Sequence, residues 1–191
     1  MIARADRVVM DLGTGDGRAV LARASADPTA LVIGIDAAGA SMAEASRRAD
    51  RRGPRNTLFI ATGAEVLAST PFAGEADLVT VTLPWGSLLR GALGVDGQAL
   101  GGIASTLRPG GRLELLASVV PSDRVDGIDC LDDAMWPAIA DAWRGVGLQL
   151  SGMRPATADD LTASGSSWAR RLGAGRPVWR IDGVRSASIE P

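Results

Sequence analysis

The sequence predicts an α/β fold with a seven-stranded, mostly parallel β-sheet, one antiparallel strand, and helices on both faces. Apolar runs short enough for buried parallel strands recur along the chain, and helix-forming segments separate them. The first two runs, Val8–Asp11 and Leu31–Asp36, each end at an acid, and their interval is that of one βαβ crossover. With 191 residues, the chain is expected to form one domain, residues 1–191.

The first strand leads into a glycine-rich turn before a helix predicted at Ala19–Ala24. The turn reads Asp11-Leu12-Gly13-Thr14-Gly15-Asp16-Gly17. Glycines let a backbone pass close to a ligand, and the free N–H groups and the helix N-terminus favour an anionic group. The dinucleotide fingerprint G-x-G-x-x-G does not fit, because Arg18 occupies its third glycine position. The spacing resembles the first motif of class I S-adenosylmethionine (SAM) methyltransferases, in which Asp11, Gly13, Thr14 and Gly15 would hold the donor. An ordinary strand-to-helix turn is the alternative.

The second and third strands also end near candidate donor-binding residues. Asp36 is placed to accept hydrogen bonds from both hydroxyls of a ribose, or to cap the following helix. The third strand is predicted at Thr57–Ala61, and in nucleoside sites of this architecture the next loop lies beside the base. The backbone of Ala64, or the side chain of Glu65, could therefore contact adenine. Glu65 fits equally well in the first turn of a short helix, facing water.

The helix predicted at residues 39–52 carries an arginine cluster. Its inner face is formed by Met42, Ala45 and Ala49. The cluster comprises Arg47, Arg48, Arg51, Arg52 and, beyond the Gly53-Pro54 stop, Arg55. Guanidinium forks suit phosphates, but most charge runs of this kind are solvated helix faces. Taken by itself, this cluster is better interpreted as a solvated face.

The fourth predicted strand, Asp77–Leu83, leads to Trp85. Ligands bind beyond the carboxyl ends of parallel strands, and a tryptophan directly after Pro84 offers a stacking platform for a flat ring. Enzymes that methylate exocyclic amines commonly carry Asn or Asp shortly before this proline, and Val81-Thr82-Leu83 has neither. A ring nitrogen, nucleophilic through its own lone pair, is therefore the expected methyl acceptor.

The second half of the chain completes the sheet. An amphipathic helix leads into a fifth strand predicted at Arg112–Ala117. Trp136 and Trp143 lie on a helical stripe and are expected in the core. The last two strands, Leu148–Met153 and Val178–Ile181, are expected to pair antiparallel.

Composition excludes several kinds of chemistry. The chain has one cysteine and no histidine, which excludes an internal disulfide and any Ser-His or Cys-His nucleophile, and a metal site is not expected. A formal net charge of −2 does not by itself indicate a nucleic-acid binder, although all 20 basic residues are arginine. No apolar run reaches the length of about 20 residues that a membrane span needs. No signal peptide precedes Val8, so a cytoplasmic protein without a membrane partner is expected.

Three segments together resemble one family. They are the glycine-rich turn, Leu83-Pro84-Trp85-Gly86-Ser87-Leu88-Leu89-Arg90-Gly91, and Ser166-Ser167-Trp168-Ala169-Arg170-Arg171. This combination resembles the aminoglycoside-resistance methyltransferases of the kanamycin–apramycin type, which modify N1 of adenine(1408) in 16S rRNA of the 30S ribosomal subunit. The resemblance implies a Rossmann-like class I methyltransferase domain that uses SAM, releases S-adenosylhomocysteine and needs no metal. We expect a monomer.

The resemblance also assigns residues to roles. The extruded adenine would lie between Trp85 and Trp168, and stacking worth about 1–3 kcal/mol per base would offset an unstacking cost of a few kcal/mol. Insertions near residues 84–97 and 155–176 would form the acceptor side, with Leu83, Ser166 and Ser167 beside the donor. Transfer to a neutral ring nitrogen needs no prior proton removal, so positioning would supply most of the catalysis. The expected contacts with RNA phosphates are Arg170, Arg171 and Arg176 in the last linker, and Arg47, Arg48, Arg51, Arg52 and Arg55.

Two other functions fit the same residues. A small-molecule methyltransferase would close Trp85 and Trp168 over a free heterocycle, with little salt dependence. A noncatalytic regulator would bind SAM without any acceptor being methylated.

Overall fold

A computed structural model of the chain describes residues 5–169, 171 and 175–187, without the side chain of Arg52. Within this part, the strands are β1 Arg7–Leu12, β2 Ala30–Asp36, β3 Thr57–Ala61, β4 Ala76–Thr82, β5 Leu107–Ala117, β6 Leu148–Pro155 and β7 Trp179–Arg185. The α-helices are α1 Arg18–Ala26, α2 Gly39–Arg52, α3 Gly86–Ala92, α4 Gly97–Thr106, α5 Trp136–Gly145 and α6 Ala158–Ala163. Short 3-10 helices occupy Ala64–Ser69, Pro121–Asp123 and Asp133–Met135. No helix of the described ranges has both the length and the apolar character of a membrane span.

The strands form one sheet in the order β3-β2-β1-β4-β5-β7-β6. Neighbours from β3 to β5 pair in parallel, whereas β7 lies between β5 and β6 and is antiparallel to both. The predicted seven-stranded, mostly parallel sheet with one antiparallel strand is therefore confirmed.

Successive residues of β1 enter different cores, because successive side chains of a strand point to opposite faces. Val8 and Met10 belong to the main core, which also contains the buried faces of α3, α4 and α5. Val9 packs instead with Val20 and Ala24 of α1. Helices therefore cover both faces, which explains why the strands read as continuous apolar runs.

The fifth strand begins earlier than the sequence prediction. Its pairing with β4 passes from Ala76–Leu107 to Leu78–Arg112, so residues 108–111 leave the ladder between two paired segments. Gly110 has φ 76°, a value that favours glycine. The prediction that the strand starts at Arg112 was wrong because the Pro-Gly-Gly turn interrupts the pairing and does not precede it.

One carboxylate ties α6 to the sheet. Asp160 accepts hydrogen bonds from Arg154 Nη1 (2.7 Å) and Nη2 (3.0 Å), from Arg180 Nη1 (3.1 Å) and from the Thr157 N–H (2.7 Å). The bond from Arg154 is the main reason that the pKa of Asp160 lies far below its ordinary value. The linker from α6 to β7 therefore starts from a fixed position.

Candidate active site

A cleft of about 240 Å³ opens beyond the carboxyl ends of β1, β2 and β4. This is where parallel α/β sheets bind ligands. Its lining includes every residue that the sequence analysis assigned to the donor or the base, except Glu65: Asp11, Gly13, Thr14, Gly15, Asp36, Ala64, Leu83, Trp85, Ser166, Ser167 and Trp168. Residues from distant parts of the chain thus meet at one site.

The glycines of the first turn have different functions in the structure. Gly13, Gly15 and Gly17 all have positive φ, at 72°, 57° and 69°. A Cβ on Gly17 would lie 2.6 Å from the Cβ of Ala45, so Gly17 permits close packing against α2. A Cβ on Gly15 would meet nothing within 4 Å, and Gly15 lines the cleft. Gly15 therefore leaves backbone open to a ligand.

Asp36 is held by the main chain on both of its oxygens. Oδ2 accepts from the Gly15 N–H and Oδ1 from the Ala38 N–H, each at 2.8 Å. An ionised carboxylate has about four acceptor positions, so two remain for a ligand. Asp36 therefore stabilises the glycine turn and also offers the cleft a hydrogen-bond acceptor in a fixed orientation.

Asp11 is a buried carboxylate at the base of the cleft. Thr80 Oγ1 on the neighbouring strand donates to Asp11 Oδ1 at 2.7 Å. Burial raises the pKa of Asp11 above its ordinary value, because desolvation outweighs the opposing effect of the Thr80 bond. Thr14 Oγ1 is also buried and has no hydrogen-bond partner among the described residues. A ligand with a cationic group beside hydrogen-bonding groups would satisfy both side chains.

Glu65 does not reach the cleft. It is exposed in the first turn of the 3-10 helix Ala64–Ser69, and its carboxylate folds back towards Gly63. Of its two predicted positions, the structure has the water-facing one. Ala64 and Gly63 line the cleft instead, because the 3-10 turn directs the next side chain outward.

Two tryptophans stand at the mouth of the cleft. Trp85 lies directly before α3 and two residues after Leu83. Leu83, just after β4, has a strained φ of 50°. Trp168 comes from the linker between α6 and β7. The ring centroids are 6.4 Å apart and the planes are inclined at 52°. The two residues are 50% and 49% exposed, unlike the fully buried Trp143, so they are not core residues.

A polar network holds Arg176 against the Trp85 ring. The Arg176 guanidinium lies 5.8 Å from the Trp85 ring centroid, within cation–π range. Its Nε donates to Ser118 Oγ at 2.8 Å, and its Nη1 donates to Asp123 Oδ1 at 3.0 Å. The Arg176 contact holds the pKa of Asp123 below its usual value. Arg176 was predicted only as a phosphate contact, and the structure shows that its guanidinium is engaged within the protein.

The linker also contacts the first turn directly. Ser167 Oγ donates to Asp16 Oδ2 at 3.0 Å, joining residues 151 positions apart. Ser166 Oγ accepts from the N–H groups of Trp168 (3.2 Å) and Ala169 (3.3 Å). The segment that carries Trp168 is therefore fastened to the same turn that lines the donor side of the cleft.

The predicted arginine contacts are distributed over two surfaces. Arg47, Arg48, Arg51 and Arg55 are exposed on or just after α2, and Arg47 pairs with Glu44 at 2.9 Å. Arg171 is exposed in the linker. The Arg52 side chain and Arg170 lie outside the described residues.

Sequence reasoning missed three polar residues of the site. Thr80 and Asp16 act through contacts with Asp11 and Ser167, and Ser118 holds Arg176. Thr80 could have been found, since it stands opposite Asp11 in the parallel pairing of β1 with β4. The contacts of Asp16 and Ser118 cross large sequence separations and leave no local pattern.

Comparison with known proteins gives consistent matches over most of the chain. Residues 1–184 match the model of the family described as NpmA: 16S rRNA (adenine(1408)-N(1))-methyltransferase. A 16S rRNA (adenine(1408)-N(1))-methyltransferase of Streptoalloteichus hindustanus is 34% identical over 180 residues, covering 90% of this chain and 82% of that protein.

Solved structures agree in fold. A tryptophan-to-alanine mutant of the 16S rRNA (adenine(1408)-N(1))-methyltransferase from Catenulisporales acidiphilia, with the cosubstrate SAM, has TM-score 0.85 and 31% identity, covering 100% of this chain and 90% of that one. The aminoglycoside resistance methyltransferase NpmB1 has TM-score 0.80 and 33% identity, with coverages of 96% and 89%.

Proposed function

We infer the function from one premise, that the chain belongs to the 16S rRNA (adenine(1408)-N(1))-methyltransferase family. We propose that it transfers the methyl group of SAM to N1 of adenine 1408 of 16S rRNA in the 30S subunit, and so gives resistance to aminoglycosides. The observation that carries the proposal is the exposed Trp85–Trp168 pair at the mouth of a cleft with a donor-type glycine turn.

The residues of the cleft fit SAM. Asp11, buried and without a cationic side chain bonded to it in the described part of the chain, offers a carboxylate to the ammonium group. Thr14 Oγ1 offers a free hydroxyl, and Gly15 leaves space beside its backbone. Asp36 has acceptor positions left for the ribose hydroxyls, and the Ala64 backbone lies where the adenine edge would be. SAM supplies a methyl group that is electrophilic because it is attached to a sulfonium.

The two tryptophans would receive the target base. An adenine in structured RNA must leave its helix before N1 can meet a methyl donor. Unstacking costs a few kcal/mol, and base–aromatic stacking is worth about 1–3 kcal/mol per base. Because the planes of Trp85 and Trp168 are inclined at 52°, one indole must turn towards parallel before both faces of a flat base are covered.

The chain's own residues then act by positioning. Neutral N1 attacks through its lone pair, so no side chain has to remove a proton, which agrees with a chain that lacks histidine. Thr82, at the end of β4, lines the cleft where amine-methylating enzymes carry an acidic or amide side chain. Trp85 and Trp168 hold the base in line with the methyl group and exclude water from its faces. Arg176, fixed by Ser118 and Asp123, holds Trp85 in place.

We assign the RNA backbone contacts to the arginines on or just after α2 and to those of the linker between α6 and β7. Those on or after α2 would dock on RNA shape without reading sequence, and those of the linker would hold phosphates near the extruded base. The residues are Arg47, Arg48, Arg51, Arg52, Arg55, Arg170 and Arg171, without Arg176, whose guanidinium is bonded to Ser118 and Asp123. Segments 84–97 and 155–176 form the acceptor side in this proposal. We propose that the enzyme acts as a monomer, and a ribosomal substrate implies a cytoplasmic enzyme.

Methylation of purified 30S subunits with radiolabelled SAM tests the proposal. We expect label in 16S rRNA and a reverse-transcription stop at adenine 1408, because a methyl group on N1 blocks base pairing. Free adenosine should gain no label, and substrate binding should weaken steeply with salt. Label on a free heterocycle but not on rRNA would indicate a small-molecule methyltransferase instead. SAM binding without any labelled acceptor in a cell extract would indicate a regulator.

A further inference from the structure

We propose that a groove between α1 and α2 holds a phosphate of the bound RNA between Arg18 and Arg48. The inference rests on the proposed function and adds to its RNA-binding surface Arg18, a residue that the sequence analysis did not assign. The groove is about 460 Å³ in volume. It is separate from the donor cleft, and no residue lines both.

The lining of the groove suits a phosphodiester. Arg18 stands at the start of α1 with 65% of its side chain exposed, and Arg48 is exposed on α2. Arg48 makes no ion pair with any of the described residues. No acidic residue is found in the described lining. Arg18 Nε lies 3.5 Å from Asp16 Oδ2, which is not part of the groove lining, so Arg48 is the cation without an ion pair among the described residues. The two guanidinium groups together favour an anion with several acceptor oxygens.

Small residues make room for a backbone between the two arginines. Ala22 and Ser25 form the α1 side, Gly53 lies at the end of α2, and Gly165 belongs to the linker. Large side chains at these positions would fill the groove. The space therefore admits a chain of phosphates and sugars, and not only a single ion.

The position of the groove connects it to the tryptophan pair. Gly165 crosses close to α1, since a Cβ on it would lie 3.5 Å from the Ala19 Cα. Trp168 follows three residues later, a span of at most about 11 Å. Asp16, next to Arg18, accepts the hydrogen bond from Ser167. An RNA strand that leaves the extruded base would thus meet Arg18 and Arg48 before it reaches the remaining α2 arginines.

Binding of the full chain to 30S subunits tests the groove. The variants are Arg18→Gln, Arg48→Gln and the double mutant, and Arg144→Gln is the matched control, because Arg144 is an exposed arginine on α5, across the sheet. Each single change should weaken 30S binding about tenfold, the value of a charged hydrogen bond. The double mutant should be little weaker than either single mutant, because both side chains hold the same phosphate. In the double mutant, the slope of the logarithm of the binding constant against the logarithm of the salt concentration should become shallower by about one unit.

A second pair of variants keeps both arginines. Ala22→Glu places a negative charge in the groove and should weaken 30S binding, whereas Ala22→Gln, of similar size, should have a smaller effect. SAM affinity should be unchanged in all variants. The groove proposal is overturned if Arg18→Gln and Arg48→Gln lose no more than Arg144→Gln, or if SAM affinity falls in parallel, since the arginines would then support the cleft. Failure of the wild-type chain to methylate 30S subunits would reject the proposed function. If the wild-type chain methylates 30S subunits and the groove variants bind them as tightly as wild type, only the groove proposal is rejected.

Discussion

Replacing Gly102 by alanine should destabilise the protein and weaken SAM binding, although alanine is the better helix former. Gly102 lies in α4 against the backbone of the 3-10 helix Ala64–Ser69. A Cβ at this position would lie 1.8 Å from the carbonyl oxygen of Ala64. A carbon–oxygen contact normally needs about 3.3 Å, so the two elements would have to separate by roughly 1.5 Å.

The magnitude follows from two opposing effects. Overpacking a close contact costs about 1–3 kcal/mol, and a backbone carbonyl is not a flexible neighbour that could turn away. Gly to Ala in a helix interior contributes about 1 kcal/mol in the other direction. We therefore expect a net loss of up to about 2 kcal/mol in the free energy of unfolding. Because Ala64 lines the cleft, SAM affinity should fall as well.

The adjacent residue provides a matched control. Gly101 is in the same helix, and a Cβ there would meet nothing within 4 Å. Gly101→Ala should raise the free energy of unfolding by up to about 1 kcal/mol and leave SAM affinity unchanged. Urea unfolding and titration calorimetry measure both quantities. Equal stability of the two variants would refute the account of how α4 fixes the Ala64 turn.

Three further predictions concern carboxylates. Asp11→Asn should stabilise the ligand-free protein in thermal unfolding, because it removes a buried carboxylate whose pKa is raised. The same change should weaken SAM binding about 10- to 100-fold in calorimetry. Unchanged affinity would contradict the contact between Asp11 and the ammonium group. SAM affinity should increase as pH rises through the raised pKa of Asp11, since only the ionised form pairs with an ammonium. Thr80→Val should move that increase to higher pH, because it removes the hydrogen bond to Asp11, whereas Thr80→Ser should not. Coincident pH profiles of wild type and Thr80→Val would reject the Thr80 contact. Asp160→Asn should lower the free energy of unfolding at pH 7 by about 1–3 kcal/mol and slow methyl transfer more than it weakens SAM binding. The stabilisation by Asp160 is present above the pKa that this residue has in the unfolded chain, and it is lost as pH falls through the lowered pKa of the folded state. The free energies of unfolding of wild type and Asp160→Asn should therefore converge in acid. A difference that stays constant with pH would contradict this role.

The order and direction of the elements followed from local patterns. Apolar runs of strand length, separated by helical stripes, specify parallel strands buried on both faces, as with Val8–Asp11 and Leu31–Asp36. The glycine turn was also readable, because positive φ at alternate positions needs a residue without a Cβ. The location of Asp11 and Asp36 in one cleft then follows from the rule for parallel strand ends.

The contacts of individual side chains were harder to predict from the sequence. The sequence left Glu65 equally between the base and solvent, and the structure has it exposed in a 3-10 turn. Arg176 was interpreted as a free cation because its partners, Ser118 and Asp123, lie more than 50 residues earlier. The start of the fifth strand was placed too late, at Arg112, because a bulged turn and a connecting turn have the same Pro-Gly-Gly sequence. For Arg176 and for the start of the fifth strand, the deciding contact is tertiary and has no local periodicity.

The meeting of Trp85 and Trp168 over one base is the central claim, and single-turnover methyl transfer to 30S subunits tests it most directly. Trp85→Ala and Trp168→Ala should each slow transfer by about tenfold or more, the value of one lost stacking contact. SAM affinity of both variants should stay within a few-fold of wild type, and Trp179→Ala provides a tryptophan control outside the cleft lining. Full transfer rates in either cleft variant would contradict the claim that the two indoles hold the target adenine.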